Sequence, residues 1–183
     1  MRLPVFDLDG TLLDSDAALT DAFVALGVPA GSVTYGHVLA DECRRLGLAV
    51  DDYVAAYDTA AARPFPGVEE LVAGLDRWAL CSNKHPASGR AELARLGWRP
   101  EVALFADALD GPKCLGPVLE ALGVAADDVA LVGDTAHDRR SAAEAGVPFG
   151  LAAWNPRARA EPGDAVLSEP GAVVPWLTKL ARR

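Results

Sequence analysis

An α/β fold, with a parallel sheet between helical layers, is what this 183-residue sequence predicts, and three observations predict it. Beyond Pro66, short apolar runs alternate with helical stretches, the pattern of a parallel sheet covered on both faces. Polar residues close several of those runs, as ligand-binding side chains do at the carboxyl ends of parallel strands. Between Thr11 and PFPG at 64–67, about fifty residues carry helical periodicity and no plausible strand. A small all-α block is therefore inserted after the first strand.

The elements follow in order. Leu3, Val5, Phe6 and Leu8 form a short buried strand, interrupted by Asp7 and followed at once by Asp9. Ser15 or Asp16 caps a helix with Leu19, Phe23 and Leu26 on one face, stopped by Gly27 and Pro29. A second helical segment aligns Val38, Leu39, Cys43 and Leu46, and a third aligns Tyr53, Val54, Tyr57 and Ala61. GVEELVAGL is then a helix and 78–81 a strand ending in Ser82-Asn83. Residues 86–97 are a helix closed by Gly97, 102–105 a strand and 115–122 a helix. Residues 128–132 form a strand running into GDTAHD, 138–145 a helix, and 147–151 a fifth strand. PGAVVPWLTKLARR closes the chain as a short helix, its basic residues near the negative end of the dipole. The implied boundaries are a core of residues 1–14 and 64–183 and a helical block of 15–63.

Half the residues are apolar, enough for a real core, and the formal charge of −9 argues against non-specific nucleic-acid binding. Cys43, Cys81 and Cys114 are odd in number and lack metal spacing, which fits a reducing compartment. No stretch reaches about 18 uninterrupted apolar residues, and the first nine read as a strand, not a basic-then-apolar signal. The expectation is a soluble cytoplasmic protein with no membrane or nucleic-acid partner; the sequence is silent on oligomeric state.

Asp7, Asp9, Ser82, Asn83, Asp134 and Asp138 all lie at predicted strand ends, and four of the six are carboxylates. Unit charges 4 Å apart repel by about 4 kcal/mol at an effective dielectric near 20, so such a pocket calls for protonation or a cation. Hard oxygen donors without a His/Cys set point to Mg²⁺, which takes few protein carboxylates and leaves room for a substrate phosphate. GDTAHD suits two ligands on one loop. A carboxylate beside the ion can attack phosphorus, and a second acid two residues on can protonate the leaving oxygen and later activate water. Lys113 and the Ser82 hydroxyl would cover charge on the transferred group.

FDLDGTLLDSD, LCSNK, the lysine of GPKC and LVGDTAHD, in that order, resemble the four motifs of the haloacid dehalogenase-like phosphohydrolases. LLDSD, PFPG and SNK are most similar to the phosphoglycolate phosphatase-like branch. The resemblance implies a Rossmann-like three-layer core with a small α-helical cap inserted after the first strand, shorter here than the usual four-helix version. It implies Asp7 as nucleophile, and Asp9 as general acid/base whose backbone carbonyl also meets Mg²⁺. It further implies Ser82, Asn83 and Lys113 around the phosphoryl group, Asp134 as a direct metal ligand, and Asp138 supporting the ion or its waters. The substrate is then a small phosphorylated metabolite, 2-phosphoglycolate being the resemblance-led choice. A phosphomutase would use the same aspartyl-phosphate, and a catalytically silent binding protein would keep the fold without the turnover.

Other residues have plainer readings. Taken alone, Lys113 is a loop charge; only its order among the motifs promotes it. Thr11 supports the first loop and Thr135 a turn, while His37, His85 and His137 are structural. Phe23, Tyr53 and Tyr57 are core aromatics, and Cys81 and Cys114 are small packing residues.

Overall fold

The computed structural model describes residues 1–35, 38–109 and 113–181; His37 and the stretch 110–112 before Lys113 lie outside them. The first strand, β1 (Leu3–Phe6), is central to a six-stranded sheet. It pairs in parallel with β4 (Ala79–Cys81) on one side and β6 (Val129–Gly133) on the other, Phe6 lying opposite both Leu80 and Val132. β5 (Val102–Leu104) extends the sheet beyond β4, and β7 (Phe149–Ala152) and β8 (Ala165–Leu167) extend it beyond β6, again in parallel. The three central strands are buried throughout, so helices on both faces replace the in/out alternation with continuous apolar runs.

Period-two geometry still sorts their side chains. Leu3, Val5, Ala79, Cys81 and Leu131 join one apolar cluster with Leu115 and Val118; Phe6, Leu80 and Val132 join the other with Trp78 and Trp98. The crossover helices α4 (Val68–Ala73), α5 (Pro86–Leu96), α6 (Gly116–Leu122) and α7 (Ala136–Ala145) supply the outer layers, and α8 (Val173–Leu180) closes the described chain.

In sequence, α1 (Asp16–Ala25), α2 (Leu39–Leu46) and α3 (Val50–Ala56) lie between two short strands, β2 (Leu13–Asp14) and β3 (Arg63–Pro64). The rings of Phe23 and Tyr53 meet at 4.3 Å between centroids, tying α1 to α3. Glu42 on α2 accepts from the Thr34 N–H at 2.8 Å, from the Thr34 hydroxyl at 2.9 Å and from Arg45, which holds the preceding loop against the helix. Carboxylates in the first turn of α2 and arginines in its last turn complement its dipole.

The departures from expectation are local. β2 and β3 form an antiparallel ribbon of two residues each, too short to leave a periodic signal. β8 is a sixth strand that the alternation did not reveal, and the predicted fifth strand starts two residues later, at Phe149. Ser15 occupies the N-cap of α1, but its hydroxyl is buried with no hydrogen-bond partner among the described residues and makes no capping bond. The third helix ends at Ala56, leaving Tyr57 as its cap residue and Ala61 in the turn beyond. Cys43, Cys81 and Cys114 are free thiols. Among the described residues no helix is long and apolar enough to cross a membrane.

Candidate active site

A parallel sheet delivers every strand's carboxyl end to the same edge, and here three adjacent strands deliver polar residues. Asp7 follows β1 and its N–H still bonds Val132 O at 3.0 Å; Ser82 follows β4 with its N–H on Leu104 O at 3.0 Å; Asp134 follows β6. After Asp7 the chain must turn at once. Gly10 does this at φ +79°, a left-handed conformation that a side chain resists. A Cβ there would also stand 2.8 Å from the Asn155 side-chain nitrogen and 2.9 Å from Asp134 Cγ.

The structure brings Asp7, Asp134 and Asp138 together, buried, with one carboxylate oxygen of each within 4.8 Å of the others. Lys113 enters this set, its ammonium bonded to Asp7 and, at 2.5 Å, to Asp138. Asp134 accepts from the Thr11 hydroxyl at 3.2 Å and from Asn155 Nδ2 at 2.8 Å, and the same Asn155 nitrogen donates to Gly10 O at 2.9 Å. Thr135 is more than a turn residue. It caps α7, its hydroxyl donating to Asp138 at 2.7 Å and its N–H at 3.0 Å, which fixes the carboxylate toward Lys113. Asn83 lies beside them, its side-chain oxygen accepting from the Lys113 N–H at 3.0 Å.

Three carboxylates against one ammonium leave an excess of two negative charges in a buried space. The protonation equilibria register that excess. Burial, aided by Asp138 and Asp9 and only partly offset by Lys113, pushes Asp7 up to about 7. Burial and the carboxylates of Asp7 and Asp138 push Asp134 up to about 8. Asp138 goes the other way: burial opposes its charge, but Lys113 and Thr135 outweigh it and lower its pKa. Lys113 is held as ammonium, its pKa raised by Asp138 and Asp7 against the cost of burial. An all-oxygen donor set short of two positive charges fits one hard divalent cation.

Asp9 is not in that set. Its carboxylate turns to Lys84, which donates at 2.6 Å. Lys84 is itself buried, 3.0 Å from Glu92 Oε1 on α5 and 2.9 Å from the Tyr57 hydroxyl, with its ammonium 4.6 Å from the Tyr57 ring centroid. Tyr57 donates to Glu92 at 2.6 Å. Sequence reasoning singled out none of Lys84, Glu92 or Asn155 for a site, and took Tyr57 as core. Glu92 reads as an ordinary charge on a helix, and Asn155 lies after β7, outside every motif. The one available signal was Lys84 itself, within the SNK motif.

His85 caps α5 through a bond from the Ala87 N–H, and His85 and His137 both also line the cavity above Asp7. Phe23, Tyr53 and Tyr57 are buried in the core, and all three also line the cavity above Asp7, so reading them as core alone was incomplete.

Chemically, the arrangement offers a buried carboxylate for attack, a neighbouring acid on a different bearing, hydroxyl and amide groups beside them, and a cation-seeking cluster. A model of the haloacid dehalogenase-like hydrolases matches residues 1–146. The phosphoglycolate phosphatase of Xylella fastidiosa (strain 9a5c) is 29% identical over 187 residues, covering 85% of this chain and 82% of that protein. That of Rhodospirillum rubrum is 30% identical over 184 residues, covering 79% and 76%. A crystal structure of a hydrolase from Pseudomonas syringae shares the fold at a TM-score of 0.76 and 18% identity, covering 98% of this chain and 99% of that one.

Proposed function

Because the chain belongs to the haloacid dehalogenase-like hydrolases, we propose that it is a Mg²⁺-dependent phosphatase working through an aspartyl-phosphate on Asp7. It is a phosphoric monoester hydrolase, as its relatives' names indicate. The observation that carries the mechanism is the buried set of Asp7, Asp134 and Asp138, which one ammonium leaves two charges short of neutral. Asp7 and Asp134, with the Asp9 backbone carbonyl, would hold Mg²⁺, and Asp138 would support it. When bound, the ion would supply charge neutralisation for the acids and for the phosphoryl oxygens.

In the first half-reaction an Asp7 oxygen attacks phosphorus and the bond to the leaving alcohol breaks, Asp9 giving that oxygen its proton. In the second, the Asp9 carboxylate takes a proton from water as the water oxygen displaces Asp7 from phosphorus. Ser82 and Asn83 hold the phosphoryl oxygens. Lys113 keeps Asp7 oriented and offsets developing charge. We assign residues 1–14 and 64–183 to the catalytic core and 15–63 to a cap over it. The substrate is a small phosphorylated metabolite, and 2-phosphoglycolate is the compound that the relatives' names supply.

Phosphate release from p-nitrophenyl phosphate tests this reading, with Mg²⁺ or EDTA, for wild type and Asp7→Asn. Loss of the nucleophile should lower turnover by at least about 10³-fold, and EDTA should abolish it. Equal activity in the two proteins would sink the mechanism.

A further inference from the structure

The cavity over Asp7 continues outward between the sheet and helices α1–α3. Its two ends differ in chemistry. The inner end holds Asp7 and Asp134 with Ser82, Asn83 and Lys113; elsewhere Leu19, Phe23, Val33, Leu39 and Tyr53 supply an apolar wall, and Thr34, Tyr35, His85 and His137 supply polar groups. Charged side chains also border that wall, and they already have partners of opposite sign. Asp16 is paired with Arg157, whose guanidinium lies 3.8 Å from the Tyr35 ring centroid. Glu42 is paired with Arg45 at 2.6 Å and bonded by Thr34. Lys84 serves both Asp9 and Glu92.

With the phosphoryl group at the inner end, the alcohol part of the ester meets the apolar wall. A carboxylate on that alcohol would face Leu19 and Val33 with no unpaired lysine or arginine among the described residues of the lining. Its other course is to draw Arg157 away from Asp16, which strands a half-buried acid and gains nothing in charge balance. An uncharged alcohol displaces water from the same wall and leaves the four ion pairs intact. We propose that the substrates are phosphate monoesters of uncharged alcohols, seated on the Leu19–Val33–Leu39 wall. This rests on the phosphatase reading of the inner end, and it sets 2-phosphoglycolate aside.

Titration calorimetry on the full chain with Mg²⁺ tests it, using propylphosphonate and 3-phosphonopropionate. The two probes differ only in a methyl against a carboxylate. Propylphosphonate should bind at least about tenfold more tightly. Leu19→Arg, which puts a cation on the wall, should narrow or reverse that preference, and Arg157→Gln, which leaves the Asp16 carboxylate unpaired beside the wall, should preserve or widen it. Equal or tighter binding of 3-phosphonopropionate to the wild type overturns the proposal, as does binding of neither. Turnover of p-nitrophenyl phosphate, measured alongside, reports on the phosphatase reading separately: a preference for propylphosphonate supports the wall's selectivity with or without turnover.

Discussion

Replacing Lys84 by Met removes one buried ammonium from between two carboxylates, and the structure says which of them suffers. The Asp9 side chain is 21% exposed and can be rehydrated. Glu92 is fully buried, its second oxygen has no hydrogen-bond partner, and the Tyr57 hydroxyl becomes the remaining donor to its first among the described residues. Burial already raises the Glu92 pKa against the pull of Lys84. Breaking a buried pair by removing one partner costs about 3–5 kcal/mol, a large share of the roughly 5–15 kcal/mol that holds a domain together. Urea unfolding followed by tryptophan fluorescence should show that loss, and the melting temperature should fall by roughly 6–20 °C. The double variant Lys84→Met/Glu92→Met removes both charges and should recover most of it, with a coupling of at least about 2 kcal/mol. A single-variant loss under about 1 kcal/mol, or a double variant that loses the sum of the two singles, would refute the view of Lys84 as the counter-charge of Glu92.

Two further outcomes follow from local geometry. A Cβ at Gly133 would stand 2.5 Å from Asp138 Cβ, which is buried beside it. Gly133→Ala should therefore cost about 1–3 kcal/mol in overpacking and displace Asp138 from Lys113, with p-nitrophenyl phosphate turnover falling alongside stability. Glu42 sits at about 2, below its ordinary 4.5: burial opposes its charge, but Arg45 and Thr34 outweigh it. A lowered carboxylate pKa stabilises the fold above the unfolded value and loses that contribution as pH falls through the folded one. The stability advantage of wild type over Glu42→Gln should thus be roughly 2 kcal/mol at neutral pH. It should shrink as pH falls from 4.5 toward 2, which urea titrations at stepped pH would detect.

The sequence alone determined the layered fold and the acidic strand ends. Alternating apolar and helical segments admit few arrangements besides a covered parallel sheet, and in such a sheet Asp7, Ser82 and Asp134 must emerge at one edge. Those are consequences of local pattern and of strand direction, both legible in one dimension. The ribbon of β2 and β3 was not legible, because two residues carry no period, and the edge strand β8 was not, because it follows β7 with no helix between them and so breaks the strand–helix alternation.

The tertiary structure decided the pairing of charges. Nothing in the spacing of Lys84, Glu92 and Tyr57 says that α5, the β4 loop and the end of α3 converge on Asp9. Nor does spacing turn Asp138 toward Lys113 or set Asn155 between Gly10 and Asp134. A charge on a helix looks the same in sequence whether it faces water or a buried partner, and only packing removes the water. What that packing left over the strand ends is a cavity with an apolar wall, and among the described residues the lysines and the arginine that line it are already paired.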